Sequence, residues 1–159
     1  METKTATKSR FKDATTLLVH DHNSVKAKFK EFESMGSRAR VGKKKLADEI
    51  CTELTIHAML EEEIFYPAVQ QEAEDGPALI EEATAEHAGA KALIAQIKAM
   101  SADDESLTET VQKLSEEIAH HVKEEEGEMF PKARASGLDL VALRDQMLER
   151  KTELSAEEL

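Results

Sequence analysis

The sequence predicts an all-α protein: an up-down-up-down antiparallel four-helix bundle followed by a short C-terminal fifth helix. Three observations carry that prediction. Residue usage leans to Ala, Glu, Lys and Leu, with three prolines, one tyrosine and no tryptophan in 159 residues, which suits long helices better than short strands and turns. Apolar residues recur at three- and four-residue spacing, the stripe of a helix facing a core. Finally, one pattern occurs twice. His57-Ala-Met-Leu-Glu61-Glu62 closes on Tyr66-Pro67, and His121-Val-Lys-Glu-Glu125-Glu126 closes on Phe130-Pro131. Asp21-His22 precedes the first copy and Glu86-His87 the second, each running on as His-x-x-x-Lys-Ala. The chain therefore reads as a tandem duplication of one helical hairpin.

The first helix runs from near Phe11 to Met35, with Phe11, Ala14, Leu18, His22, Val25, Phe29 and Phe32 on one face. After a turn from Gly36 to Gly42, the second runs from about Lys43 to Gln71 and carries Leu46, Ile50, Leu54, His57, Glu61, Ile64 and Ala68. Asp75-Gly76-Pro77 breaks the chain, and Pro77 suits a first helical position. The third helix carries Ile80, Ala83, His87, Ala90, Ile94 and Ile97. A polar stretch over 101–106 leads to the fourth, whose face is Leu107, Val111, Leu114, Ile118, His121, Glu125 and Met129. Beyond Ser136-Gly137, an amphipathic stretch from Leu138 to about Lys151 reads as a fifth helix packed on the bundle, with no evident chemistry. The bundle spans about 11–135 and the added helix about 138–151. The whole of 1–159 reads as one domain, long enough to bury a core of its own.

Pro67 and Pro131 follow the two motif glutamates by six residues, so both helices are expected to kink there. Tyr66 stands five residues past Glu61, about 140° away on a regular helix. Packing, like that of Phe130 in the other half, is the favoured role. A kink that turned Tyr66 inward would instead make it a ligand, a hydrogen-bond donor or a catalytic group.

Thirty-three acidic residues against twenty-one Lys plus Arg give a formal charge of −12. Such a surface repels nucleic-acid phosphates and anionic lipid and gathers small cations. Nucleic acid and membrane are therefore not expected partners. The basic run from Arg38 to Lys45 reads as a solvated turn and helix start. No apolar run approaches the roughly 20 residues needed to cross a bilayer, and the amino-terminal stretch has no signal-like core, so the expected location is cytoplasmic. One cysteine, Cys51, allows no internal disulfide and no thiolate metal cluster. The chain is expected to act as a monomer or weak homodimer.

Six histidines are present, and the stripes sort them. His22, His57, His87 and His121 lie in phase with Leu, Ile, Val and Phe, each on a different helix, whereas His20 and His120 fall out of phase and should face outward. Each of the four in-phase histidines lies nearly the same number of residues from its connecting turn, about 20 Å along the helix. Each hairpin thus brings its two imidazoles level. His57 with Glu61, and His121 with Glu125, project side by side because residues four apart share a helix face. Four imidazoles and two carboxylates then meet in an apolar interior, which is very costly unless a cation compensates them. A bundle holds a pair of metal ions in this way, with each carboxylate able to bridge both. Nitrogen and oxygen donors without thiolate favour two iron ions with an oxo or hydroxo bridge, while manganese or a mixed pair stays open. Glu62, Glu63, Glu126 and Glu128 read as a solvated acidic face. Asp21 and Glu86, beside two histidines, are either solvated or orient neighbouring groups.

At these residues the chain resembles the hemerythrin-like family of HHE cation-binding domains, in the bacterial order His, His-x-x-x-Glu, His, His-x-x-x-Glu. The resemblance covers about Phe11 to Ala135. It implies that His22 and His57 bind one iron, that His87 and His121 bind the other, and that Glu61 and Glu125 bridge them. It also exposes a departure: the oxygen-carrying members have a fifth histidine where this chain has Ala83. One iron is thereby expected to be less saturated, with Tyr66 available to fill the position. The implied function is a non-haem di-iron protein reacting with peroxide or dioxygen, in a catalase-like or oxidative-stress role. The alternative is a non-catalytic module that binds or senses oxygen, nitric oxide or iron.

Overall fold

The computed structural model describes residues 10–158 and is helical along almost all of them. Residues 1–9, part of the polar amino-terminal stretch read above as lacking a signal-like core, lie outside the described residues. Among the described residues no helix is long and apolar enough to cross a membrane.

Helix α1 spans Ala14–Ser34 and is capped by Asp13, whose carboxylate accepts from the Thr16 amide at 3.1 Å. That bond satisfies one of the amides a helix start leaves unpaired. Phe11 lies ahead of the helix yet is buried, its ring 5.1 Å from that of His20. Helix α2 spans Arg40–Leu60, beginning earlier than expected. Gly42 is helical rather than part of the turn, with the flexible end of Met35 close beside it. The basic run is also more than a solvated surface: Lys44 donates to the Ile97 carbonyl at 2.7 Å, near the end of the third rod.

The second rod continues through a π-helical segment, Glu61–Phe65, into α3, Tyr66–Glu72. At the next turn Asp75 adopts a left-handed conformation, φ 59°, and Gly76 follows. A Cβ on Gly76 would sit 2.5 Å from the Gln70 carbonyl oxygen and 2.6 Å from that of Val69, so only glycine fits there. Helix α4 spans Gly76–Ala99 and α5 spans Leu107–Glu124. The fourth rod then repeats the second, with a π segment, Glu125–Met129, and α6, Phe130–Ala135. Helix α7, Leu140–Glu158, starts slightly later than expected, continues well past Lys151, and packs on α1, α2 and the first π segment.

The π segments change which residues face inward. A continuous α-helix would carry the stripe from Glu61 to Ile64 and Ala68. A π turn inserts one extra residue, so Phe65, Tyr66 and Val69 are buried instead, with Ile64 and Ala68 only partly covered. The bend expected from Pro67 and Pro131 thus takes the form of a π turn just before each proline.

Two apolar clusters result. One, nearer the Met35–Ala39 turn, holds Val25, Phe29, Leu46, Ile50, Leu93, Ile97 and Leu114. The other holds Leu17, Leu18, Leu60, Phe65, Leu79, Phe130 and Met147. Along every rod the motif histidine falls between residues of the two clusters. The polar residues therefore form a layer sandwiched by hydrophobic packing.

Candidate metal centre

His22, His57, His87, His121, Glu61 and Glu125 are all buried, the two glutamates being 0 % and 2 % exposed. His20 and His120 face outward, as their phase predicts. Each glutamate spans two histidines. Glu61 places one oxygen 3.3 Å from His57 Nε2 and the other 3.0 Å from His87 Nε2. Glu125 does the same for His22 and His121, each at 3.1 Å. The rings of His22 and His57 lie 4.9 Å apart, as do those of His87 and His121. Two overlapping four-residue sets emerge, His22–His57–Glu61–Glu125 and Glu61–His87–His121–Glu125, each with donor atoms within 4.8 Å of one another.

What aims the imidazoles is a ring of four further carboxylates. Asp21 meets His57 Nδ1 at 3.0 Å and Glu86 meets His121 Nδ1 at 2.6 Å. Glu62 meets His87 Nδ1 at 2.6 Å and Glu126 meets His22 Nδ1 at 2.7 Å. A carboxylate at Nδ1 fixes the proton there and leaves the Nε2 lone pair facing the centre, as in histidines that ligate metals. Two of these acids precede a histidine in sequence, yet each serves the histidine of the neighbouring rod. Glu62 and Glu126, read from the sequence as a solvated acidic face, are the other two. Their signal was the Glu-Glu doublet in both repeats.

Helix α7 also takes part, contrary to the expectation that it carries no chemistry. Its Lys151 binds Asp21 at 2.6 Å, and its Arg150 binds Glu63 at 2.9 Å. Nothing local in the sequence marks Lys151, because the contact crosses from one end of the chain to the other.

The two halves also differ at Tyr66. The Tyr66 hydroxyl lies 3.1 Å from His87 Nε2, 3.2 Å from His121 Nε2 and 3.2 Å from Glu61, and it also donates to Glu125. It therefore touches every member of the second set. The counterpart in the other half, Phe130, has no hydroxyl and stacks on His22 with centroids 6.0 Å apart. The packing role favoured for Tyr66 gives way to the inward one. On an α-helix, residues 61 and 66 diverge, but the π segment brings the Tyr66 amide onto the Glu61 carbonyl and both side chains onto one face.

The electrostatics follow from burial opposed by pairing. Burial would lower His121, but the hydrogen bond and charge of Glu125, with Glu61 and Glu86, raise it to about 10. His57 is raised well above its ordinary value against the same burial, by Glu61 and Asp21. Burial would raise Asp21, yet His57 and Lys151 lower it to about 2. Tyr66 is pushed well above the usual phenol range by burial and then by the charges of Glu61 and Glu125.

In the first set, His22 Nε2, His57 Nε2, Glu61 Oε2 and Glu125 Oε1 are buried without hydrogen-bond partners. They lie close together yet form no hydrogen bond with one another. Leaving such atoms unsatisfied costs about 1–3 kcal/mol each. A cation among them removes that cost, so the donor set fits a metal ion.

Residues 13–133 match the model of the hemerythrin HHE cation-binding domain. The chain belongs to that family. The fold of this HHE domain is similar to the crystal structure of a hemerythrin HHE cation binding domain-containing protein, the Rv2633c homolog from Mycobacterium kansasii. The TM-score is 0.78 at 21 % identity, over 91 % of this chain and 88 % of the other. The HHE domain is also 29 % identical over 138 residues to a DNA nickase of Nostoc sp. (strain PCC 7120). That match covers 87 % of this chain but 35 % of the relative, so the chain spans about a third of that protein's length.

Proposed function

We propose that the HHE domain holds two iron ions between His22, His57, Glu61 and His87, His121, Glu125, and reacts there with peroxide or dioxygen. The observation that carries this reading is the pair of bridging carboxylates among four imidazoles whose outer nitrogens are all held by acids. When bound, iron supplies one-electron redox steps and open coordination positions. The chain's own residues do the rest. Asp21, Glu62, Glu86 and Glu126 hold the histidines in one tautomer. Glu61 and Glu125 place negative charge between the two sets. Tyr66 keeps a proton on its hydroxyl beside Glu125, where a reacting oxygen could receive it. Residues 1–159 act in this reading as one domain.

The nicking activity in the Nostoc relative's name is not carried over. The relative extends far beyond this match, and a charge of −12 opposes binding to a phosphate backbone. Oxygen evolution from hydrogen peroxide by iron-loaded protein tests the proposal, and turnover should vanish in His57→Ala. A stable, reversible adduct with oxygen or nitric oxide and no turnover would instead support a binding or sensing module.

A further inference from the structure

A cavity of about 140 Å³ lies between α2, α4 and α5, and the rings of all four inward-facing histidines form part of its wall. The remainder is mainly aliphatic, with Leu54, Ala90, Ile94 and Ile118. Half-buried Met59 and exposed Lys91 stand at its outer end, between α2 and α4.

Most polar atoms of that wall have partners outside the cavity. Thr55 Oγ1 donates to the Cys51 carbonyl at 2.7 Å, and Lys91 donates to Glu62 at 2.8 Å. All four histidine Nδ1 atoms are held by carboxylates. The Nε2 atoms turn toward Glu61 and Glu125, neither of which lines the cavity. The imidazoles therefore offer it ring carbon and C–H surface. A trapped water needs two to four polar partners; the unpaired Nε2 atoms of His22 and His57 lie beside Glu125 and Glu61, and apart from Thr55 and Lys91 the rest of the wall is aliphatic. An apolar cavity of about 150 Å³ in a protein interior stays dry and accepts benzene. Dioxygen or hydrogen peroxide would leave most of this volume unfilled, and peroxide would forfeit its hydrogen bonds to water on entering.

The opposite approach to His22 has a different character. A groove of about 440 Å³ between α1 and α5 carries Lys26, Lys30, Lys123, Glu33 and Glu126. Small polar species have a wetted route there. The two approaches are thus sorted by polarity.

We propose that the cavity between α2, α4 and α5 is a binding site for a small uncharged apolar organic molecule, about the size of benzene, seated against the four imidazole rings. Binding requires no metal chemistry, so the site stands or falls independently of the peroxide reaction.

The test is titration of benzene into the protein as purified, followed by calorimetry and by the methyl resonances of Leu54, Ile94 and Ile118. Saturable binding at one site per chain is expected, with shifts confined to those methyls and a raised melting temperature. Ala90→Leu and Ile94→Phe, which fill the cavity from two sides, should each weaken benzene at least tenfold while keeping helicity and melting temperature. Should one fold poorly, the other decides. Ile118→Ala enlarges the space and should move the preference toward naphthalene. Absence of saturable binding, shifts spread over the surface, or undiminished affinity in the folded filling variants would overturn the proposal.

Discussion

At the scale of single residues, the centre is organised by which nitrogen of each histidine meets which acid. The four inward histidines and the two buried glutamates between them were legible in the sequence, because phase on an apolar stripe is a local property. Glu62 and Glu126 were not, since a residue one step past a buried glutamate reads as solvent-facing until the neighbouring rod is in place. Glu126→Gln should weaken metal affinity by about 10–100-fold while leaving the metal-free melting temperature little changed, as read by competition with a coloured chelator. Protonation supplies a second prediction. In the metal-free protein His121 is raised from 6.5 to about 10. Its contribution to stability is therefore complete below about pH 6.5 and is lost as pH rises toward 10. Metal-free protein should lose melting temperature across that window. Metal affinity should rise over the same range as protons are displaced, with proton release visible in calorimetry as a dependence on buffer ionisation enthalpy. Asp21 works in the opposite sense: lowered from 3.8 to about 2, it stabilises the fold above about pH 3.8, and that contribution disappears as pH falls through 2.

At the scale of elements, the telling feature is the π segment before each proline. The Gly76 turn and the 101–106 loop could be read from their turn residues, while the start of α2 and both ends of α7 were misplaced by a few residues, and a π turn leaves no periodic trace. It appears instead as a slip in the stripe, with Phe65, Tyr66 and Val69 buried where Ile64 and Ala68 were expected inside. Phe65→Ala should therefore cost about 3–5 kcal/mol in chemical denaturation, as for other fully buried phenylalanines. Ile64→Ala, at a partly covered site, should cost clearly less. The reverse ranking would mean that the rod is a regular α-helix with Tyr66 turned away. Helix α7 carries a related lesson: its amphipathic pattern predicted that it would pack, but only the folded chain shows Lys151 reaching Asp21. Lys151→Met should leave helicity intact and reduce iron retention, because Asp21 loses one of the two partners that hold it charged beneath His57.

At the scale of the whole molecule, two apolar clusters clamp a polar layer, and that layer needs a cation for its unpaired buried atoms. The sequence conveyed the duplication and hence the pseudo-twofold layout. It marked Tyr66 against Phe130 as the unmatched pair but favoured packing for the tyrosine, since its inward turn depends on the π segment that places it beside Glu61. Metal should raise the global stability by mass action, so chelation should lower the melting temperature in proportion to the logarithm of free metal. Anomalous diffraction from iron-loaded crystals at the iron absorption edge is the most direct measurement of the central claim. Two peaks are expected, one between His22 and His57 and one between His87 and His121, each in reach of both Glu61 and Glu125. Iron found only at the partly exposed Glu86, His120 and Glu124 group, or no ordered iron inside the bundle, would contradict it.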